Sequence, residues 1–441
     1  RVSGQVAWIR AMDMRRSRTA SLRQSIRPPA GYMLFASTIF DLTPDTDYDV
    51  RLVLDDPDGG GTERILTART WNEPELPSPL RTLHVAPGAG GGSGTAGDPF
   101  LGLAAADASA QPGDRIIVHG GQYNGAFAPQ TSGATGAPVL WLAAAGETPV
   151  VNGAGASHAI YVNALNHVII DGLTIRNGGR GVTVRNSAEL AIKRCRIYDV
   201  QHGIDASLSG TANCHIWISD NTLEGALSWP RSSQPDYRGI QVSGRSIVLC
   251  HNRVWGFYDG IDISNYPPNI DIDVYLNDIS ECMDDGIELD YGDYNTRAFR
   301  NRLTNCYQGV SLQPSRGGPN FVVRNAMYNI AVEAFKLHSV GGEETAGAVI
   351  LHNTVVKHGI PFLMQTSYTV HDTLILNNLF VGDVATYAME FSAPTDNVLF
   401  DYDVFCGGPF GKFCKVAGVR YDTQADAAAA GVEVHGAYFS G

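Results

Sequence analysis

The stretch Asp259–Leu312, DGIDISNYPPNIDIDVYLNDISECMDDGIELDYGDYNTRAFRNRLTNCYQGVSL, opens the same short phrase three times. Gly260, Gly286 and Gly309 are each followed by Ile or Val and then by strict alternation. The phrase also occurs upstream, at Gly203 (HGIDA) and Gly239 (RGIQV). A second marker, an Asn with an aliphatic residue two places on, recurs at Asn221, Asn252, Asn277, Asn301, Asn325, Asn353 and Asn377. Most of its steps are 24 to 28 residues. Period-two alternation marks strands, and a fixed period in the twenties marks a stacked repeat.

The repeat excludes several architectures. Leucine-rich repeats share the period but need an L-x-x-L-x-L frame, which is absent, and a propeller blade needs about 40 residues. Short strands without intervening helices predict an all-β chain whose main body is a right-handed parallel β-helix. One coil cannot bury its inner side alone, so stacking makes the core. The repeated Asn is read as structural: it tolerates left-handed backbone, and its amide can bond its counterparts above and below.

Strand alternation then assigns directions. The pairs Ile204/Ala206, Ile240/Val242, Ile261/Ile263, Ile287/Leu289, Val310/Leu312 and Phe335/Leu337 point inward, and all are apolar. One outward column reads Asp205, Gln241, Asp262, Glu288, Ser311, Lys336. The next reads Ser207, Ser243, Ser264, Asp290, Gln313, His338, and a third reads His202, Arg238, Asp259, Asp285, Gln308. With rungs about 4.8 Å apart, Asp259, Asp262, Asp284, Asp285, Glu288 and Asp290 share one outer patch, with Lys336 and His338 further along. Stacked like charges destabilise a sheet. Three readings stay open: a catalytic carboxylate group with separated proton affinities, a hard-cation site, or a hydrated acidic face relieved by Arg297 and Arg300.

Composition narrows the partners. Lys and Arg total 32 against 45 Asp and Glu, a net charge of -13. That argues against nucleic acid, whose binders carry a basic footprint. No apolar run reaches the ~18 residues of a membrane helix. The seven Cys show no metal spacing. Cys282 and Cys306 fall at equivalent repeat positions and read as stacked core residues, whereas Cys406 and Cys414 bracket a Gly-rich loop and suggest a local disulfide. The pattern leans toward a secreted, periplasmic or cell-surface protein. Oligomeric state is left open.

Residues 1–75 read as a separate small β domain, with strands around Tyr48–Leu54 and Arg64–Thr70. Leu42-Thr43-Pro44-Asp45-Thr46-Asp47-Tyr48 resembles the tyrosine corner of fibronectin type III domains, which implies a small β-sandwich-like module. WNEPELPSPL reads as a linker, with 76–84 between the domains and 85–441 as the solenoid. GDPFLGLAAADASAQPGDRIIVHGGQYNG resembles the N-terminal cap of pectin-lyase-like β-helix proteins, and YDTQADAAAAGVEVHGAYFSG reads as a C-terminal cap.

Within that superfamily the acidic patch resembles two enzyme sites. Asp259, Asp284-Asp285, Gln308-Gly309 and Lys336-Leu337-His338 are similar to the polygalacturonase family of glycoside hydrolases, with Gln308 in place of a His and Lys-x-His in place of Arg-x-Lys. The resemblance implies polysaccharide hydrolysis without a cofactor. Asp284 or Asp285 would be the acid, Asp259 and Glu288 the base-side carboxylates. Asp262, Tyr266, Tyr291, Gln308, Gln313, Arg316, Lys336 and His338 would bind substrate. Glu288-Leu289-Asp290 resembles the Glu-x-Glu calcium ligands of chondroitinase B and alginate lyases. That implies a Ca²⁺-assisted uronate lyase or epimerase, with Tyr291, Tyr294 or His338 as base. A non-enzymatic adhesin or filament subunit is the third alternative.

Overall fold

The computed structural model describes residues 12–13, 35–36, 38–40, 42–54, 60–74, 78–207, 213–230, 235–266 and 268–440. From Arg81 onward the chain winds through short parallel strands, each hydrogen-bonded to its equivalent one turn away. Three faces result. The first runs through strands such as Thr222–Glu224, Arg253–Trp255 and Thr354–Val356. The second holds Arg238–Val242, Asp259–Ile263 and Phe335–Lys336. The long strands Thr174–Arg185, Arg196–Ala206, Asp278–Glu288 and Arg302–Ser311 bend through the corner and serve both. The third face is a fourteen-stranded sheet ending at Thr395–Asp401.

The expected register holds. Asp205, Gln241, Asp262, Glu288, Ser311 and Lys336 align rung to rung. The six inward pairs are all at most 1% exposed. Cys282 lies beside Cys306 in the core, both fully buried. Toward the C-terminus the core becomes aromatic, with Phe362 stacked on Phe380 at 4.7 Å and Phe380 on Phe405 at 5.2 Å.

The Asn ladder is continuous. Each side-chain oxygen accepts the N–H and the amide of the Asn one coil earlier, as Asn301 does for Asn277, both at 3.0 Å. Each amide also donates to a carbonyl of the third face, Asn277 to Leu249 at 2.9 Å. Its last member is Asn378, not Asn377, and it hands on to Asp403. The left-handed residue is the one before the ladder position: His251, Leu276, Arg300, Arg324, His352, Asn377 and Tyr402 all have φ between 53° and 61°. The ladder Asn is therefore selected for its amide and not for backbone tolerance, a correction to the sequence reading.

The ends differ from expectation in detail. The helix Leu103–Asp107 precedes strand Asp114–Val118 as the cap motif implies, but Arg81–Ala86 already forms a rung beside it. Strand structure thus begins inside the expected 76–84 linker. At the other end the helix Gln424–Ala429 starts from a Thr423 capping box, and Ala437–Ser440 adds a final rung against Val404–Gly407. Cys406 and Cys414 are both free thiols. Cys406 belongs to a first-face strand, while Cys414 is buried on Phe410–Val416 beside Met389, so no bridge forms.

Asp47–Leu54 and Thr62–Arg69 form the expected antiparallel hairpin, and Tyr48 Oη accepts from Thr43 N at 2.8 Å. Among the described residues no second sheet covers it, so a sandwich-like module is not seen there. The flanking segments instead lie on the third face. Phe40 meets Phe299 edge-on at 5.3 Å, Trp71 meets Trp217 at 5.4 Å, and Lys193 pairs with Glu73 and donates to Pro74 O. Trp71, Glu73 and Pro74 of the expected linker are thereby docked. Trp217 belongs to a strip of buried outward residues with Leu140, Ile169 and Val248.

Candidate active site

The site lies on the outer side of the second face, and one local irregularity builds it. Cys282 pairs with Cys306, but Asp285 pairs with Gln308, so the strand Asp278–Glu288 carries one extra residue between them. Such a bulge re-aims side chains. Met283 is fully buried, whereas Asp284 is half-buried and its charge acts on Asp259, Asp285 and Lys336. Two consecutive Asp residues can therefore serve one patch.

Asp259, Asp285 and Glu288 each place a carboxylate oxygen within 4.8 Å of the other two. Asp259 Oδ1 accepts the backbone N–H of Asp285 at 3.1 Å. Lys336 Nζ donates to Asp285 Oδ2 at 2.9 Å. Asp262 accepts from Gln241 at 2.6 Å and pairs with Arg238, which also reaches Asp236 at 2.9 Å. Asp290 Oδ1 is held by Ser311 Oγ at 2.7 Å and by the Gln313 backbone N–H at 2.5 Å.

Burial and like charge make these carboxyls hold their protons. Burial pushes Asp285 up to about 8, opposed by Lys336 and reinforced by Asp284. Burial raises Asp262 to about 6 against the pull of Arg238. Asp259 lies well above the carboxylate range through burial, then through Asp285 and Asp262. Glu288 is likewise high, through burial and then Asp262 and Asp259. Protons are thus shared across the group. Exposure sorts the members: Asp259 and Asp285 are closed off at 3% and 1%, while Asp284 and Glu288 are half-buried.

A profile described as "Right handed beta helix region" matches residues 151–273. No curated protein matches the sequence. Among solved structures, XylC in complex with xylose superposes with a TM-score of 0.56 at 12% identity, covering 81% of this chain and 86% of that one. A mannuronic acid specific family 6 polysaccharide lyase from human gut microbiota gives 0.51 at 13% identity, covering 80% and 84%. The family 6 alginate lyase AlyGC gives 0.51 at 13%, covering 78% of this chain and 56% of that one. The fold is the right-handed parallel β-helix.

The remaining expected site residues divide on this β-helix. Gln308 is buried and its side-chain oxygen accepts the Glu333 N–H at 2.8 Å, so it braces the next coil. Gln313 reaches Asp290 through its backbone, and its side chain turns to Ser339 O at 3.4 Å. His338 faces Glu333 at 3.0 Å. Arg316 opens strand Arg316–Val323 instead of lying in a loop; it pairs with Glu343 at 2.9 Å and covers the Tyr291 ring at 5.0 Å. Tyr266 is exposed. Tyr294 starts a third-face strand and is removed from the patch.

One expectation about charge is overturned. Arg297 does not relieve the acidic patch: it pairs with Asp273 on the third face, and Arg300 holds a turn there. Arg238 and Lys336 do the relieving. In the expected Glu288–Asp290 pair, Asp290 Oδ1 already accepts from Ser311 and Gln313. The grouped oxygens belong to Asp259, Asp285 and Glu288. Calcium takes about six to eight oxygens; this group brings three carboxylates together, one of them bonded to the Lys336 ammonium. Arg238 and Glu333 were not singled out in the sequence. The column position of Arg238, directly before Gly239, is the signal that marks it.

Proposed function

We propose that this chain is an extracytoplasmic carbohydrate-active enzyme that hydrolyses glycosidic bonds of a polysaccharide at the carboxylate group of the second face. One observation carries the reading. Asp259, Asp262, Asp284, Asp285, Glu288 and Asp290 face two cations, Arg238 and Lys336, so carboxylic acids persist at neutral pH beside ionised ones. Glycoside hydrolysis needs that pairing: one carboxyl protonates the leaving oxygen, and another activates water or attacks.

Exposure reverses the division of roles expected from the sequence. Glu288 is half-buried and holds a proton, so it is the general acid. Asp284, also half-buried, is the base-side carboxylate. Asp259 and Asp285 are more deeply buried; burial first, then the charges of Asp262 and Asp259, keep the Glu288 proton affinity high. Lys336 limits how far Asp285 rises and holds its geometry. Tyr237, whose carbonyl accepts the Tyr258 N–H at 2.7 Å, directly precedes Arg238, and Tyr258 directly precedes Asp259; with the exposed Tyr266 they are the aromatic residues proposed to meet sugars.

Mass analysis of products tests the reaction class. Hydrolysis adds one water per cleaved bond and leaves two saturated ends. Products carrying an unsaturated, ultraviolet-absorbing uronate at the new end would replace this reading with β-elimination.

A further inference from the structure

The cations of the second face limit what the site can take. Among the described residues, each Arg and Lys that this face presents from Arg180 to Lys336 is already engaged by a carboxylate. Arg180 and Arg185 both bond Asp205 at 2.6 Å. Arg238 is held between Asp262 and Asp236, and Lys336 by Asp285. At the rim Arg316 is taken by Glu343, and His338 faces Glu333. These partners are mostly buried: Asp205, Asp262, Asp285 and Glu333 are at most 3% exposed. Diverting a cation to a ligand would leave a buried carboxylate without its counter-charge.

We infer that the polysaccharide cleaved at this site carries no carboxylate: its sugars are bound through hydroxyls and ring faces, and polyuronates are excluded. The inference rests on the hydrolytic reading above. A uronate needs a free guanidinium, an ammonium or a metal to receive its carboxylate. Here it would meet Asp284 and Glu288 at the surface, and no cation that is free of a buried Asp or Glu. Sugar hydroxyls both donate and accept, so they suit a surface lined by carboxyl groups. The half-buried Tyr237 and Tyr258 and the exposed Tyr266 supply the uncharged part of the contact. The same pairing argument disfavours β-elimination, which requires neutralisation of the uronate.

Affinity electrophoresis of the full chain carrying Glu288→Gln, which is isosteric with the protonated acid and keeps Asp284, tests this directly. Gels contain a neutral glucan, xylan, mannan or galactan, or else polygalacturonate or alginate, each with calcium or with chelator. The expected result is at least tenfold stronger retardation by one or more carboxylate-free glycans than by either polyuronate. Equal or stronger retardation by a polyuronate, in either buffer, would overturn the inference, and so would retardation by none of the gels. The hydrolytic reading fails separately, if wild-type protein releases no reducing ends from the glycan that retards the variant.

Discussion

Glu288 and Asp285 differ by three positions in sequence and by their access to solvent, and that difference organises the site. The acidic character of both was plain in the repeat, because a coil requires Gly286, Ile287 and Leu289 but not acids around them. What the sequence concealed was depth. Alternation places a side chain outside the coil, yet neighbouring rungs can still close over it, as they do over Asp259, Asp262 and Asp285. Replacing Glu288 by Gln should lower turnover by ~10²–10⁴-fold, the usual worth of a general acid, with the fold intact by circular dichroism. The pH dependence has a definite sign. Asp285 rises from about 4 in an unfolded chain to about 8, so its contribution to stability is full below pH ~4 and lost as pH climbs through 8. Thermal unfolding should therefore show a fall in Tm from pH 5 to pH 9. Asp285→Asn should flatten that fall; an unchanged slope would show that Asp285 is not the group titrating.

At the scale of the element, the ladder strand-ends and the bulge carry the fold's precision. The Asn positions were legible because they recur, but their register at LNNLF was not: either Asn satisfies the spacing, and only the left-handed backbone of Asn377 assigns the amide to Asn378. Left-handed positions occupied by Leu276, Arg300 and Tyr402 gave no compositional clue. Asn301→Ala removes the acceptor for Asn277 N–H and side-chain amide and one donor to the Val274 carbonyl. At about 1–3 kcal/mol for each buried group left unsatisfied, chemical denaturation should register a loss of several kcal/mol. The ladder ends differently, on acids. Asp403 accepts from Asn378, and its own N–H donates to Glu433 at 3.1 Å. Burial raises Asp403 to about 9, reinforced by Glu433, and burial raises Glu433 to about 7. Ionisation of this pair opposes the folded state, so the last coils should become more susceptible to limited proteolysis as pH rises from 6 to 9. Asp403→Asn extends the ladder with an uncharged amide and should remove most of that rise.

For the whole molecule, the solenoid and its caps were readable because period, inward pairs and turn markers agree across the coils. The N-terminal region was less readable. Its hairpin follows from local alternation, whereas its placement depends on contacts with residues more than a hundred positions away, such as Trp71 with Trp217 and Arg297 with Thr38 at 2.7 Å. Those contacts lay the segment on Trp217 and Phe299 of the third face, so it is not only a neighbouring module. Large exposed apolar patches drive association. A chain beginning at residue 79 should therefore aggregate, seen as increased light scattering at concentrations where the full chain remains dispersed. Equal behaviour of the two would show that the segment is dispensable.

The central claim is that the second-face carboxylates hydrolyse a glycan. Reducing-end release from carboxylate-free polysaccharides, compared between wild-type protein and the Glu288→Gln and Asp284→Asn variants at matched circular dichroism, tests it most directly. Wild-type protein should release reducing ends, and both variants should lose at least a hundredfold of that activity. Release at undiminished rates in either variant, or no release by wild-type protein from any such glycan, would contradict it.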